Sequence, residues 1–329
     1  MLPMATKPRS IFRTLFSFRV AVALLMTLAA APAAAGYKKG VLSYRNGELA
    51  RAVKELLPVA KAGNPEAQIL LAQILINGGK GVTKDQREGL VWVRRSAEGG
   101  NRDAQVFLAQ TLTRGNFGET IDLATAAHWY GKAAQAGDKR AMRALARIHL
   151  EGSGTPKDPA AAVPWLRKLA ADGDRSAETQ LGVLALRGEG VAKDPAVAAG
   201  HCSIAARAGD DAAAFMLAQL HGRGHGVPPN VEESVRLLRL ASMAGNFNAM
   251  AMLANTLATG GGGVERDDDE AYKWLTIVLN RAPQGDLFYS AAAVELQLRQ
   301  RLSARRIERA QAEASGFVAQ PMTPAVAGK

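Results

Sequence analysis

Cysteine is nearly absent from this chain: Cys202 stands alone among 329 residues. No intrachain disulfide can form, so the fold must hold itself together by burial. Aromatic residues make up only 5%, too few for a core built mainly on rings. Ser-x-x-Lys, Gly-x-Ser-x-Gly, His-Glu-x-x-His and Gly-x-x-x-x-Gly-Lys-Ser/Thr do not occur. That removes the serine hydrolase, zinc protease and phosphate-loop chemistries those motifs carry. Long apolar runs are also lacking. The one of note, Val20–Ala31 (VAVALLMTLAAA), has 12 residues, and a membrane-spanning helix needs about 20.

That run has another reading. Lys7, Arg9, Arg13 and Arg19 precede it, and Ala33-Ala34-Ala35 follows it after Pro32. A basic segment, an apolar segment and a small-x-small site make a cleavable secretory signal over residues 1–35, cut after Ala35. The expected location is therefore periplasmic or secreted, with no membrane span after cleavage. Losing the four basic residues of the signal lowers the net charge from +11 to +7. Such a balance suits an anionic envelope surface, an acidic glycan or an acidic protein, and it equally suits simple solubility. Nucleic acid is not the expected partner of an exported protein.

The sequence has a strong period. Glycines recur at Gly63, Gly100, Gly137, Gly173, Gly209 and Gly245, in steps of 36–37 residues. Asn or Asp follows each one: Asn64, Asn101, Asp138, Asp174, Asp210, Asn246. Glycine closes a helix end in the left-handed conformation, and Asn or Asp caps the next helix. Four residues past the glycine is always Ala and eight past is always Leu, from Ala67 and Leu71 to Ala249 and Leu253. The +4/+8 spacing puts both columns on one face of a helix of about 13 residues, helix A. A second glycine, 15 past the first, ends helix A: Gly78, Gly115, Gly152, Gly188, Gly224, Gly260. An Asp or Asn then starts helix B: Asp85, Asp122, Asp158, Asp194, Asn230, Asp267. Seven residues on stand Trp92, Trp129, Trp165, His201, Leu237 and Trp274, opposite small residues such as Ala97 and Ala134. This column reads as a packing device.

A period of this length predicts a stacked array of helix pairs. The expected layout is an N-terminal capping helix in 36–62, read as a lone helix B over 44–62, and six repeats over 63–283. C-terminal capping helices follow over 284–316, with Ser303 as an N-cap, and then a disordered tail over 317–329.

Written as a string, GDRSAETQLGVLALRGEGVAKDPAVAAGHCSIAARA (173–208) resembles the Sel-one-like repeat, a relative of the tetratricopeptide repeat. The resemblance covers about residues 44–283. It implies an all-α fold, a right-handed α/α superhelix whose A helices line a concave, partner-binding groove. It also implies an adaptor role for an exported bacterial member. A cysteine-rich branch of the family is linked to β-lactam chemistry, but this chain lacks the paired cysteines of that branch.

The remaining candidates for chemistry have plain structural readings. His149 and His221 share one helix A site and suit packing. His221 and His225 are four apart but glycines surround them, and no third zinc ligand is evident. Asp267-Asp268-Asp269-Glu270 fits the first turn of a helix, where acids favour the dipole. Cys202 suits a small buried group. No catalytic residue, metal ligand or cofactor is expected.

What is left is the face of helix A opposite the Ala/Leu stripe, at offsets +3, +6, +10 and +14. It carries Gln73, Gln110, Arg147, Gln219 and Asn255 at +10, Arg114, Arg187 and Arg223 at +14, and Arg143 and Phe215 at +6. Amides and arginines suit peptide backbone, carboxylates or sugar acids. The same pattern also fits plain solvated helix. Three functions follow. The first is a periplasmic scaffold or regulator that binds a protein or peptide in the groove. The second is a binder of envelope glycan, peptidoglycan or exopolysaccharide. The last in rank is a β-lactamase-like hydrolase.

Overall fold

Each repeat opens with the chemistry its sequence dictates. The six leading glycines all lie in the left-handed region, with φ from +82° at Gly173 to +98° at Gly245. The residue after each caps the next helix. Asn64 Oδ1 accepts from the Ala67 amide at 2.7 Å, Asp210 from Ala213 at 2.8 Å and Asn246 from Ala249 at 3.0 Å. These caps satisfy amides that the first helical turn leaves without partners. The hairpin is closed by a second recurring bond. The amide of the helix B cap donates to a carbonyl in the last turn of helix A: Asp85 to Leu75, Asp158 to His149 and Asn230 to His221, at 2.8, 2.8 and 3.0 Å.

The computed structural model describes residues 35–324. The signal segment lies outside them, apart from Ala35. The described chain divides into two units. The first comprises the residues up to 148 with 153–156, and the second 149–152 with residues from 157 on.

Unit 1 starts with α1 (residues 35–45) and α2 (Leu49–Lys61). The hairpins α3 (Pro65–Asn77) with α4 (Gln86–Glu98) and α5 (Arg102–Arg114) with α6 (Leu123–Gln135) follow, then α7 (Lys139–Glu151). Unit 2 holds α8 (Pro159–Ala171), α9 (Arg175–Arg187), α10 (Pro195–Arg207), α11 (Asp211–Arg223), α12 (Val231–Met243), α13 (Phe247–Thr259) and α14 (Asp268–Arg281). Two further helices, α15 (Asp286–Arg299) and α16 (Ala304–Ser315), complete it. The chain is thus an all-α repeat array of helix pairs. All six A helices have 13 residues.

Within each unit the predicted columns form the core. Ala67, Ala104, Ala213 and Ala249 are fully buried, and Leu71, Leu108 and Leu253 nearly or fully so. Small residues at +4 let the helices approach closely and leucine at +8 fills the gap, which gives interior-like packing. An extra residue lengthens the A–B loop in the first, second and last repeats; short bridges Gly79–Val82 and Gly261–Val264 absorb it in the first and last, and Phe117 takes a positive φ of +57° in the second.

Two expectations at the ends need correction. The N-terminal end is a helix pair, not one helix over 44–62. The chain turns at Gly47, where φ is +75°, and α1 packs on α2. Gly40 is buried, and an added Cβ there would collide with Leu56, so glycine permits the close approach. The tail is the second correction: residues 317–324 are packed against unit 2. Phe317 meets Trp274 edge-on at 5.5 Å between ring centroids, and the Gln320 amide donates to the Met243 carbonyl at 2.9 Å. Residues 325–329 lie outside the described residues.

After the last repeat, α15 and α16 pack against α14. Leu298, Leu302, Ala310 and Ala314 are buried. Arg306 on α16 makes a bidentate pair with Asp269 on α14, both bonds at 2.8 Å. Ser303 stands at the N-cap of α16, but its side chain makes no capping bond.

Candidate functional site

The sequence candidates lie on A helices of both units. In unit 1, Gln73 on α3, Gln110 and Arg114 on α5, and Arg143 and Arg147 on α7 are all exposed. In unit 2, Arg187 on α9, Arg223 on α11 and Asn255 on α13 are exposed, while Phe215 and Gln219 on α11 are half-buried. Among the described residues, the side chains of Gln73, Gln110, Arg114, Gln219, Arg223 and Asn255 make no hydrogen bond or ion pair. Arg187 has one loose partner, Glu189, at 3.8 Å. These polar groups are not used by the fold and so remain open to a partner, on helical backbone that needs no ordering, at about 0.5–1.5 kcal/mol for each long side chain immobilised.

The +6 column is less uniform than the helical wheel suggests. Arg143 is exposed, but Val106 and Thr179 are buried and Phe215 is half-buried. At 100° per residue this position lies at the flank of the exposed strip. The open strip is therefore the +10 and +14 columns.

Cys202, the acidic run at 267–270 and His201 are spent on structure, whereas the Nδ1 atoms of His149 and His221 are buried without a hydrogen-bond partner. Cys202 is fully buried against Gly182. Burial, with a smaller contribution from Asp210, pushes its thiol up to about 11, so the reactive thiolate is scarce at neutral pH. The acidic run at 267–270 is fully engaged. Asp267 caps α14 through the Glu270 amide at 2.9 Å, and Asp268 takes a bidentate pair from Arg266 at 3.0 and 2.7 Å. Asp269 holds Arg306, and Glu270 holds Arg239 at 2.6 Å and the Trp274 indole at 3.2 Å. His201, in the tryptophan column, contacts Glu178 at 2.6 Å. Among the described residues no three or more His, Cys, Asp or Glu converge as metal ligands.

The tryptophan column carries a feature the sequence reading missed. Arg95, Lys132 and Lys168 lie over Trp92, Trp129 and Trp165 at 4.7, 4.6 and 4.9 Å from the ring centroids, and Lys273 covers Trp274 at 4.9 Å. In the first three the cation stands three residues after the ring, a spacing at which helical side chains meet. The charges shield the outer faces of the rings, each pair contributing about 0.5–1 kcal/mol at exposed sites. The column is thus closed to a stacking ligand.

Comparison with known proteins fits this geometry. Six consecutive segments match the Sel1 repeat model: 65–101, 102–138, 139–174, 175–210, 211–246 and 248–277. Each begins at or just past an A helix cap. The fold is similar to the crystal structure of a protective antigen present in uropathogenic Escherichia coli strains, described as displaying an SLR fold. The TM-score is 0.69 and identity 26% over 86% of this chain. This chain spans 60% of that antigen's length. It is also similar to a Sel1 repeat protein from Oxalobacter formigenes, with a TM-score of 0.55 and 28% identity over 76% of this chain and 98% of that one. No curated protein matches the chain.

Proposed function

Because this chain belongs to the Sel1 repeat family, whose arrays are scaffolds for protein–protein interaction, we propose that it is a non-catalytic scaffold or regulator of the cell envelope that binds a partner protein or peptide along its A helices. One observation carries the reading. Along each A helix the buried columns repeat almost without change, whereas the exposed +10 and +14 columns differ from unit to unit. A fold needs only the first, and a specific partner needs the second. The periplasmic location rests on the secretory pattern of residues 1–35, and among the described residues no helix is long and apolar enough to cross a membrane. Arginines at the ends of α9 and α11, each next to a left-handed glycine, suit carboxylates on the partner, since guanidinium binds them in a two-pronged geometry.

The test is affinity capture from envelope extracts with the full chain and with Arg187→Glu combined with Arg223→Glu. Both side chains are exposed in the last turn of a helix, where reversing the charge opposes the dipole by about 0.3–1 kcal/mol each, so the thermal melt should fall by only a few degrees. The partner recovered with the unaltered chain should fall at least tenfold with the variant, about 1.4 kcal/mol of binding. Equal recovery from both chains removes the A face as the docking surface.

A further inference from the structure

Unit 2 has a second surface, formed by its B helices, and something is already seated on it. After α16 the chain runs without regular structure over residues 317–324, past the C-terminal ends of α14, α12 and α10 in turn. Phe317 sits on Trp274 with Arg281 over its own ring at 5.7 Å. The Gln320 amide caps the last turn of α12 through the Met243 carbonyl, a group the helix itself leaves open. Ala319 lies over Gly245, and the Met322 carbonyl reaches Gly209 so closely that a Cβ there would collide with it. Met322 and Thr323 then form one wall of an open groove of about 460 Å³ between α10 and α12, floored by Ala199, Leu217 and Leu237.

The groove exists because α10 is short of bulk. Six residues past the helix B cap, the other repeats carry Val91, His128, Pro164, Arg236 and Lys273, and this one carries Gly200. Leu240 lines the groove and is 36% exposed, and the same two helices carry further exposed apolar side chains, Val197 and Ile204 on α10 at 49% and 53% and Met243 on α12 at 47%. An apolar surface of this kind marks a binding site, and the tail shows what fits it. This segment donates a main-chain N–H to a helix-end carbonyl and packs an apolar side chain, Phe317 or Met322, against the core near each end.

We propose that this B-side groove is a peptide-binding site whose resident ligand is residues 317–324 of the same chain, acting as a displaceable strap. The proposal does not depend on the A-face reading. Tethering gives the strap an effective concentration in the millimolar range, so modest contacts hold it along the groove. An incoming segment of the same chemistry binds only when the strap is weakened.

The probe is a labelled peptide with the sequence of residues 316–324, GFVAQPMTP, titrated by fluorescence anisotropy. It is tested on the full chain and on the full chain carrying Phe317→Ala and Met322→Ala. The peptide should bind the variant roughly tenfold or more tightly than the unaltered chain, because the tethered competitor is removed. Adding Leu240→Arg should abolish that binding. Equal binding to both chains, or binding to neither, overturns the proposal. Hydrogen exchange on the unaltered protein gives an independent reading. The Gln320 amide should be protected, and exchange at the rate of a free peptide overturns the proposal as well.

Discussion

Gly226→Ala should cost about 3 kcal/mol or more of stability, although it adds one methyl group at the surface. Two separate constraints fall on this residue. Its φ is +74°, where an L side chain is strained by about 1–2 kcal/mol. The added Cβ would also land on the Pro195 carbonyl group and the Ala196 amide, the backbone of the first turn of α10. Backbone in a capped helix cannot step aside as a flexible side chain can, and overpacking of this sort costs about 1–3 kcal/mol more. Gly190 meets Pro159 and Ala160 in the same way, so the second glycine of Gly-x-Gly is where one repeat seats on the one before. The control is Gly131→Ala, in the interior of α6 with nothing within 4 Å of the new Cβ. There the same substitution should stabilise by about 0.5–1 kcal/mol. Urea unfolding followed by helical circular dichroism should place the two variants on opposite sides of the unaltered protein. A loss under about 1 kcal/mol at Gly226 contradicts the seating role.

Leu253→Ala should cost about 3–4 kcal/mol. Leu253 is fully buried, among Leu217, Leu257, Ala271 and Leu275 of the unit 2 core. Removing its side chain leaves a cavity that packed helices close only in part, so the penalty exceeds the lost transfer energy. Repeat arrays are stabilised mainly between neighbours, and amides of α13 and α14 should therefore lose hydrogen-exchange protection first. Asn255→Ala, two residues along the same helix but exposed, should stay within about 0.5 kcal/mol. A similar loss at both positions is inconsistent with the assignment of buried and open faces on helix A.

Most of the repeat was legible because its signals are local. A glycine, a capping Asn or Asp and an Ala/Leu column at +4 and +8 lie within a dozen residues, and each is caused by backbone geometry or helical spacing. The predicted caps at Asp85, Asp122, Asp158, Asp194, Asn230 and Asp267 all accept backbone amides of helix B. The features missed depend on distant contacts or on marks that read the wrong way. Gly40 sits inside a helix, and Leu56, 16 residues on, fills the space where its side chain would be. The tail has prolines and no period, and its order comes from Trp274 and Met243, more than 40 residues earlier. The cations over the tryptophans stand at i+3 in three of four cases, a spacing present in the sequence itself. On the A face the sequence located the +10 and +14 strip and overstated +6, where helical angle alone does not say how far the neighbouring helix reaches.

The central claim is that the exposed A face holds the partner. Site-specific photocrosslinking in growing cells tests it most directly. A crosslinking residue is placed at Gln73 or Gln110 in unit 1 and at Gln219 or Asn255 in unit 2, with Arg87 and Arg167 on B helices as controls. The account predicts an adduct with the same protein from A-face positions and none from the two controls. Adducts from the controls with none from the A face would contradict it.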